Sequence, residues 1–497
     1  MVYYSQTNPV VKYLQKSPDD FTKADIIKYI LENDVQHLNF HYVAEDGRLK
    51  TLNFVINGRE HLEELLTAGE RVDGSSLFSH IKTGASDLYV IPRFKTAFVD
   101  PFEETPNLSL LCSFFTKEGK PLESAPDRIL RKAHKQLKDE TGYELQALGE
   151  LEYYILMPLE DNLFQAVDQK GYHESPPFNK SAAFRKEAMR LIAYCGGNIK
   201  YAHSEVGNFI LDDTVYEQNE IEFNLSAVED AADQLVIAKW VLRNLAYRYG
   251  YSLTFSPKIT IGKAGSGLHI HIRLMRDGRN IMIEKGNISD TAKKVIAGLM
   301  LLAPSLTAFG NTNPNSYFRL VPNQEAPTTI CWGDLNRNAL VRVPLGWTQP
   351  VNMLAMANPK ENADKKDFSY KQTVEYRASD GSASVHHLLA GLCVAANYGL
   401  QREDALQIAR KTYLEPGAGR KEMMKKKLEV LPDSCYESAK KLEKQKDIYL
   451  KNNVFTPDII RQTIENLKAF NDKDLRETIE GNIEELLLLV KKHFHCG

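Results

Sequence analysis

The chain has 497 residues, 43% hydrophobic and 26% charged, with a formal net charge of −3. That length exceeds the usual reach of one hydrophobic core, so two or more domains are expected. The near-neutral balance leaves no basic stripe to hold a nucleic acid, and six scattered cysteines without a Cys-x-x-Cys pair read as reduced intracellular thiols.

The opening MVYYSQTNPV lacks a basic segment followed by an apolar one, so no signal peptide is read. Residues 21–34 (FTKADIIKYILEND) predict a helix capped by Thr22. Alternating segments HLNFHYV, TLNFVI, DLYVIP and TAFVDPF follow as predicted strands, with turn chemistry in RVDGSSLF. Residues 1–118 are therefore expected to form a small α+β domain and 119–497 a larger one. Polar KEGKPLESAPD leads into a predicted helix, RILRKAHKQLKDE, and further helices are expected at 181–194, 229–249 and 290–303. The longest apolar run, Val295 to Phe309, is broken by Gly298 and Pro304 and is too short to cross a bilayer, so a soluble cytoplasmic protein with no membrane partner is expected. After about residue 385 the pattern is almost wholly helical, ending in EELLLLVKKHF. The tail His493-Phe-His-Cys496 is expected to be a frayed terminus rather than a zinc trap.

Within the large domain, Glu150 and Glu152, Glu220 and Glu222, His269 and His271, and Glu375 and Arg377 are each two residues apart in strand-like segments. On a strand that spacing aims both side chains at one face. One such pair usually marks a solvated strand face; four pairs rich in Glu and His predict a cavity lined to hold divalent cations. Glu150, Glu152, Glu205, Glu220, His269 and Glu375 are the candidate ligands, an oxygen-rich set with imidazole that suits Mg²⁺ or Mn²⁺. Two adjacent ions on paired carboxylates clamp a transferring phosphoryl group. No G-x-x-x-x-G-K-[ST] loop is present, since Gly262-Lys-Ala-Gly-Ser-Gly267 has its lysine too early. A nucleotide would be held by ions and arginines, for which Arg319, Arg337, Arg342 and Arg377 are the candidates.

The ordered motifs DGSS (73–76), GELEYY (149–154), SEV and QNEIEF (204–223), GSGLHIH (265–271), NSYFRLVPNQEAP (315–327), NRNALVRVP (336–344) and VEYRASD (374–380) closely resemble glutamine synthetase of the bacterial type I class. The resemblance implies an α+β chain with a small β-grasp-like N-terminal domain. After it comes a catalytic domain with an antiparallel, incomplete β-barrel flanked by helices, and a helical C-terminus. It implies ATP-dependent ligation of ammonia to the γ-carboxylate of L-glutamate through γ-glutamyl phosphate, with two or more Mg²⁺ or Mn²⁺ per site. It also implies a homo-dodecamer of two hexameric rings with sites shared between neighbours. Position by position, Glu152, Glu205 and Glu220 would take one ion, and Glu150, His269 and Glu375 the other. Arg319, Arg377 and the backbone at Gly265 would hold glutamate; Arg337 and Arg342 would face the phosphates, with His271 and Phe223 near the nucleotide. Glu325 would sit in a flap, and Asp73 of a neighbouring subunit, with Ser76 beside it, would take a proton from ammonium.

The chain departs from the family pattern in places. The segment between Glu205 and Glu220 is longer, which leaves Asp212, Asp213 and Glu217 as alternative ligands. Ala264 stands before the GSG turn, Arg273 lies near the nucleotide region, and Ser384-Val-His-His387 replaces an Asn-Pro-Tyr run. Three rivals remain: a zinc amidohydrolase, which needs a later series of strand-end histidines; a glutamate–amine ligase of the same superfamily, which Ala264 favours and Asp73 with Ser76 opposes; and a non-catalytic paralogue, which an intact set of buried charges opposes.

Overall fold

The computed structural model describes residues 7–160, 164–321, 326–346, 353–362, 367–418, 420–479 and 482–497. The first long helix runs Lys23–Glu32 and starts at a capping box, in which the Thr22 hydroxyl accepts from the Asp25 N–H and the Asp25 carboxylate from the Thr22 N–H. Strands β1 (His37–Val43), β2 (Leu49–Val55), β3 (Glu70–Asp73), β4 (Asp87–Pro92) and β5 (Asn107–Phe115) form one sheet in the order β2-β1-β5-β4-β3. Only β1 and β5 run parallel. Leu62, Leu65 and Leu66 of the helix Arg59–Ala68 pack with Leu38, Phe40, Leu108 and Leu110 of the sheet into a core of its own. The expected strand at TAFVDPF is reduced to a bridge between Phe98 and Ser109. Pro101 has no N–H for a ladder, and the neighbouring run NLSLLCSFF takes the central place as β5, with apolar side chains on both of its faces.

The large domain is built on a second sheet. Its strands are β6 (Glu144–Pro158), β7 (Ile199–Leu211), β8 (Thr214–Phe223), the short β9 (Ser226–Ala227), β10 (Ser252–Thr254), β11 (Leu268–Arg276) and β12 (Arg279–Asn280). After the separate two-residue ladder of β13 (Ile283–Glu284) and β14 (Asn287–Ile288), β15 (Trp332–Asp334), β16 (Val341–Val343) and β17 (Val374–Tyr376) complete it. The principal order is β15-β16-β17-β11-β6-β8-β7, and among the described residues the end strands do not pair, so the sheet is open. The sheet is antiparallel, as expected, except at one edge, where β15 and β16 are parallel. There the chain doubles back through Leu335, held in the left-handed region at φ 57°.

Helix Val228–Tyr249 covers one face of β6 and also meets the small domain, where the Arg93 guanidinium forks onto Asp233 at 2.6 and 3.0 Å. The helix Asp290–Gly310 runs past Pro304, where a stop was expected, because packing against Val385–Gln401 and Cys435–Leu450 outweighs one missing backbone bond. With a mean hydropathy of 1.4 it is long and apolar enough to cross a membrane, yet 83% of its apolar window is buried inside the fold. The tail is docked rather than frayed: Thr254 donates to the Phe494 carbonyl, Arg243 to that of Cys496, and Cys496 is half-buried.

Candidate active site

Antiparallel register places the paired polar residues on one wall. Glu150 of β6 lies opposite His269 of β11 and Glu222 of β8, Glu152 opposite Glu220, and His271 opposite Glu375 of β17. Alternation sends Leu151, Ile221 and Ile270 the other way, into the hydrophobic core. β7 contributes through a bulge: its register slips between Ser204 and Asn208, so Glu205 and its two successors oppose a single residue of β8. A bulge of this kind re-aims a side chain, and here it turns Glu205 into the cavity. Gly207 is required there, because a Cβ would overlap the Tyr154 hydroxyl.

The wall encloses a cavity of about 1110 Å³ lined by Glu150, Glu152, Glu205, Glu220, His269 and His271, among others. Three groups of ligand atoms each lie within 4.8 Å of one another: Glu150–His271–Glu375, Glu150–Glu220–His269 and His203–Glu205–Glu220. Glu150 accepts from His269 Nδ1 and His271 Nε2, both at 2.9 Å. Burial opposes its charge, but the His271 and His269 imidazoles hold its carboxyl well below the ordinary value. Glu220 goes the opposite way: burial, then the carboxylates of Glu150, Glu152, Glu205 and Glu222, push it well above. Buried like charges are costly without a compensating cation. The carboxylate and imidazole donors, with that uncompensated charge, fit divalent ions.

Around this wall the cations are ordered. Arg377 donates to Glu375 at 2.5 Å and Arg342 to its other oxygen at 3.0 Å. Arg319 is 3% exposed and is fixed by the carbonyls of Ala378, Ser379 and Arg377. Arg319, Arg342, Arg377 and the exposed Arg337 all line the cavity, as does Gly265. Glu152 Oε2 accepts from the Gly267 N–H at 2.8 Å and from Gln218 at 3.0 Å, which ties the GSG turn to β6 and β8.

Not every candidate converges here. Phe223 is corrected: two residues on from Ile221 in β8, it shares that residue's face, and its side chain is 2% exposed within the hydrophobic core. Asp73 and Ser76 are exposed on the small domain and do not line the cavity. Their side chains bond each other at 2.6 Å, and the Ser76 and Ser75 hydroxyls hold the Asp73 carboxyl below its usual range. Glu325 lies outside the described residues. Of the alternative ligands, Asp212 occupies the β7–β8 turn and Asp213 follows it, while Glu217 accepts from Asn179 and the backbone of Lys180 and Ser181, a structural role.

Three residues were not named from the sequence. Gln218 braces Glu152, His203 stands between Glu205 and Glu220, and Lys200, paired with Glu222 at 2.6 Å, sits on the cavity wall. For the first two the available signal was a spacing of two on a strand, His203 from Glu205 and Gln218 from Glu220.

Comparison with known proteins identifies the family. Residues 34–117 match the family model described as glutamine synthetase, beta-Grasp domain, and residues 123–483 match glutamine synthetase, catalytic domain. A glutamine synthetase of Frankia alni is 29% identical over 493 residues, covering 91% of this chain and 96% of that protein. One from Pyrococcus furiosus is 31% identical over 416 residues, covering 81% of this chain and 86% of that protein. The fold is similar to a Plasmodium falciparum glutamine synthetase solved by cryo-electron microscopy, with a TM-score of 0.74 at 20% identity over 92% of this chain and 97% of that one. With both domain models matched in order over most of its length, the chain belongs to the glutamine synthetase family, a family of ligases.

Proposed function

We propose that the protein joins ammonia to the γ-carboxylate of L-glutamate at the expense of ATP, giving glutamine, ADP and phosphate through γ-glutamyl phosphate. The observation that carries this is the convergence of six buried or half-buried Glu and His side chains with Arg319, Arg342 and Arg377 on one cavity wall. A free carboxylate is a poor electrophile, so it must be phosphorylated before an amine attacks it. Two or more Mg²⁺ or Mn²⁺ ions, held by Glu150, Glu152, Glu205, Glu220, His269 and Glu375, would neutralise charge on the phosphates. Arg337 and Arg342 orient the polyphosphate and His271 lies beside the nucleotide, while Arg319, Arg377 and the Gly265 backbone grip the amino acid by its carboxylate. Asp73 and Ser76, supplied by a neighbouring subunit, bind ammonium and take its proton, and Glu325 closes the site against water. We place the chain in the bacterial type I class, as a cytoplasmic dodecamer of two hexameric rings, on the order of its motifs.

A second reading, ligation of a larger amine, is favoured by Tyr172 and Tyr201, whose rings are 50% and 43% exposed and line the cavity. Phosphate release dependent on ATP and glutamate, measured with ammonium and with a panel of amines, separates the two. A tenfold preference in kcat/KM for a larger amine, about 1.4 kcal/mol at the transition state, replaces the first reading with the second.

A further inference from the structure

Behind the wall of Glu and His side chains, against the other face of the same sheet, lies a second cavity of about 300 Å³. That volume is at the lower end for small-molecule sites. Met157 of β6 lies opposite Val215 of β8, while on β7 Ile210 lies opposite Val215 and Asn208 opposite Glu217. Alternation turns Val215 and Glu217 away from Gln218 and Glu220, so these five residues line the second cavity and not the first. Phe178 and Lys180 complete the enclosure from outside the sheet.

The chemistry of the lining selects an occupant. Met157, Leu159, Phe178, Ile210 and Val215 are apolar, and Leu159, Phe178 and Ile210 remain exposed. Glu217 is fully engaged: one oxygen accepts from the Lys180 N–H at 2.9 Å, the other from the Ser181 N–H at 2.8 Å and from Asn179 at 2.7 Å. The remaining charges on the lining, Glu160 and Lys180, are of opposite sign. Asn208 differs from its neighbours. It is 6% exposed, its Oδ1 accepts from the Lys170 N–H at 3.4 Å and its carbonyl from the Gln169 N–H at 3.0 Å, yet its Nδ2 meets no acceptor among the described residues. A buried donor left unpaired is costly, and an oxygen in the cavity would remove that cost.

We propose that this cavity is a small-molecule site for an uncharged ligand with an aromatic or other apolar body and a carbonyl oxygen that accepts from Asn208 Nδ2. An anion would face Glu160 and Glu217 with only Lys180 to offset them, and a cation would find Glu217 already held by three donors. The sheet separates the site from the active-site cavity, and the two share no lining residue among the described ones, so the proposal stands apart from the ligation reading.

The test titrates the whole protein with phenylacetamide, phenylacetate and phenethylamine, one aromatic body ending in a neutral carbonyl, an anion or a cation, followed by saturation-transfer NMR. Phenylacetamide should bind in the ~millimolar range that suits so small a molecule, and about tenfold more tightly than either charged probe. Saturating ATP, glutamate and Mg²⁺ should leave its binding unchanged in the unmodified protein. Val215→Phe, which fills the cavity, should abolish binding. Asn208→Leu, which keeps the volume and removes the amide, should weaken it about fivefold. Circular dichroism checks that each variant is folded, and Val215→Phe carries the test should Asn208→Leu not fold. Absence of saturation transfer at millimolar phenylacetamide, or full affinity in Val215→Phe, would overturn the site. Displacement by ATP or glutamate would put the probe in the first cavity and overturn it equally, and tighter binding of a charged probe would overturn the ligand class.

Discussion

Replacing Glu220 with glutamine should make the ion-free protein more stable and the ion-loaded protein less so. Glu220 is 6% exposed, lies opposite Glu152 and His203 in the sheet, and has its carboxyl pushed well above the usual value by burial and by Glu150, Glu152, Glu205 and Glu222. Each unit of such a shift costs ~1.4 kcal/mol when the group is held charged. One like-charge pair ~5 Å apart at an effective dielectric of ~20 costs about 3 kcal/mol. The glutamine side chain would keep the shape and remove the charge, so a gain on the order of 1–3 kcal/mol is expected without ions, or a rise in Tm of a few degrees for a chain of this size. The sign with pH follows. A carboxyl raised in the folded state binds more protons folded than unfolded, so its contribution to stability falls as pH rises above 4.5 and through the raised value. The gain from Glu220→Gln is therefore larger at pH 8 than at pH 5. With saturating divalent ion the order reverses. At a concentration of ~1,000 Kd the wild type gains ~4.1 kcal/mol from binding, most of which the variant forfeits. Thermal unfolding of both proteins in chelator and in Mn²⁺, at both pH values, reads all four quantities. A lower Tm for Glu220→Gln in chelator, or an equal ion-induced rise in the two proteins, would refute the reasoning.

Gly265→Ala should lower activity and cost ~1–3 kcal/mol by denaturant titration, since a Cβ there would meet the Pro257 carbonyl oxygen at 2.5 Å, and backbone yields little. Burial pushes His41 down to about 4 from 6.5. The unfolded chain therefore binds the extra proton first, and a contribution of up to ~3.4 kcal/mol, complete above pH 6.5, is lost as pH falls towards 4. His41→Phe, which keeps the stack on Phe98, should flatten the stability–pH curve over that window, and an unchanged slope would exclude His41 as its source. Mixing Asp73→Asn with Glu375→Gln subunits after dissociation should restore part of the activity neither homo-oligomer has, and mixed oligomers without activity would place each site within one subunit.

The alternation of Glu150 with Glu152, Glu220 with Glu222 and His269 with His271 determined, from sequence alone, that these side chains share faces of strands, because a strand's period is two whatever its partners. The same rule already implied that Phe223 turns away from Glu220 and Glu222, although the motif suggested otherwise. The caps and turns were legible for a similar reason: the Thr22 box and the DGSS turn are made by residues adjacent in the chain. The strand β5 was not, since its leucines and phenylalanines, broken by Ser109 and Ser113, keep no clean period of two, and Leu110 and Leu111 are buried on opposite faces by different cores. Nor did sequence show that His203 meets Glu220, that Gln218 braces Glu152, or that helix Asp290–Gly310 survives its proline. Those outcomes depend on register between strands far apart in the chain, on the bulge at Glu205, and on packing energies that outweigh local preference. The types of the ligands and the strand faces they occupy are local properties; which oxygen confronts which nitrogen is decided only when the β6, β7, β8, β11 and β17 strands come together.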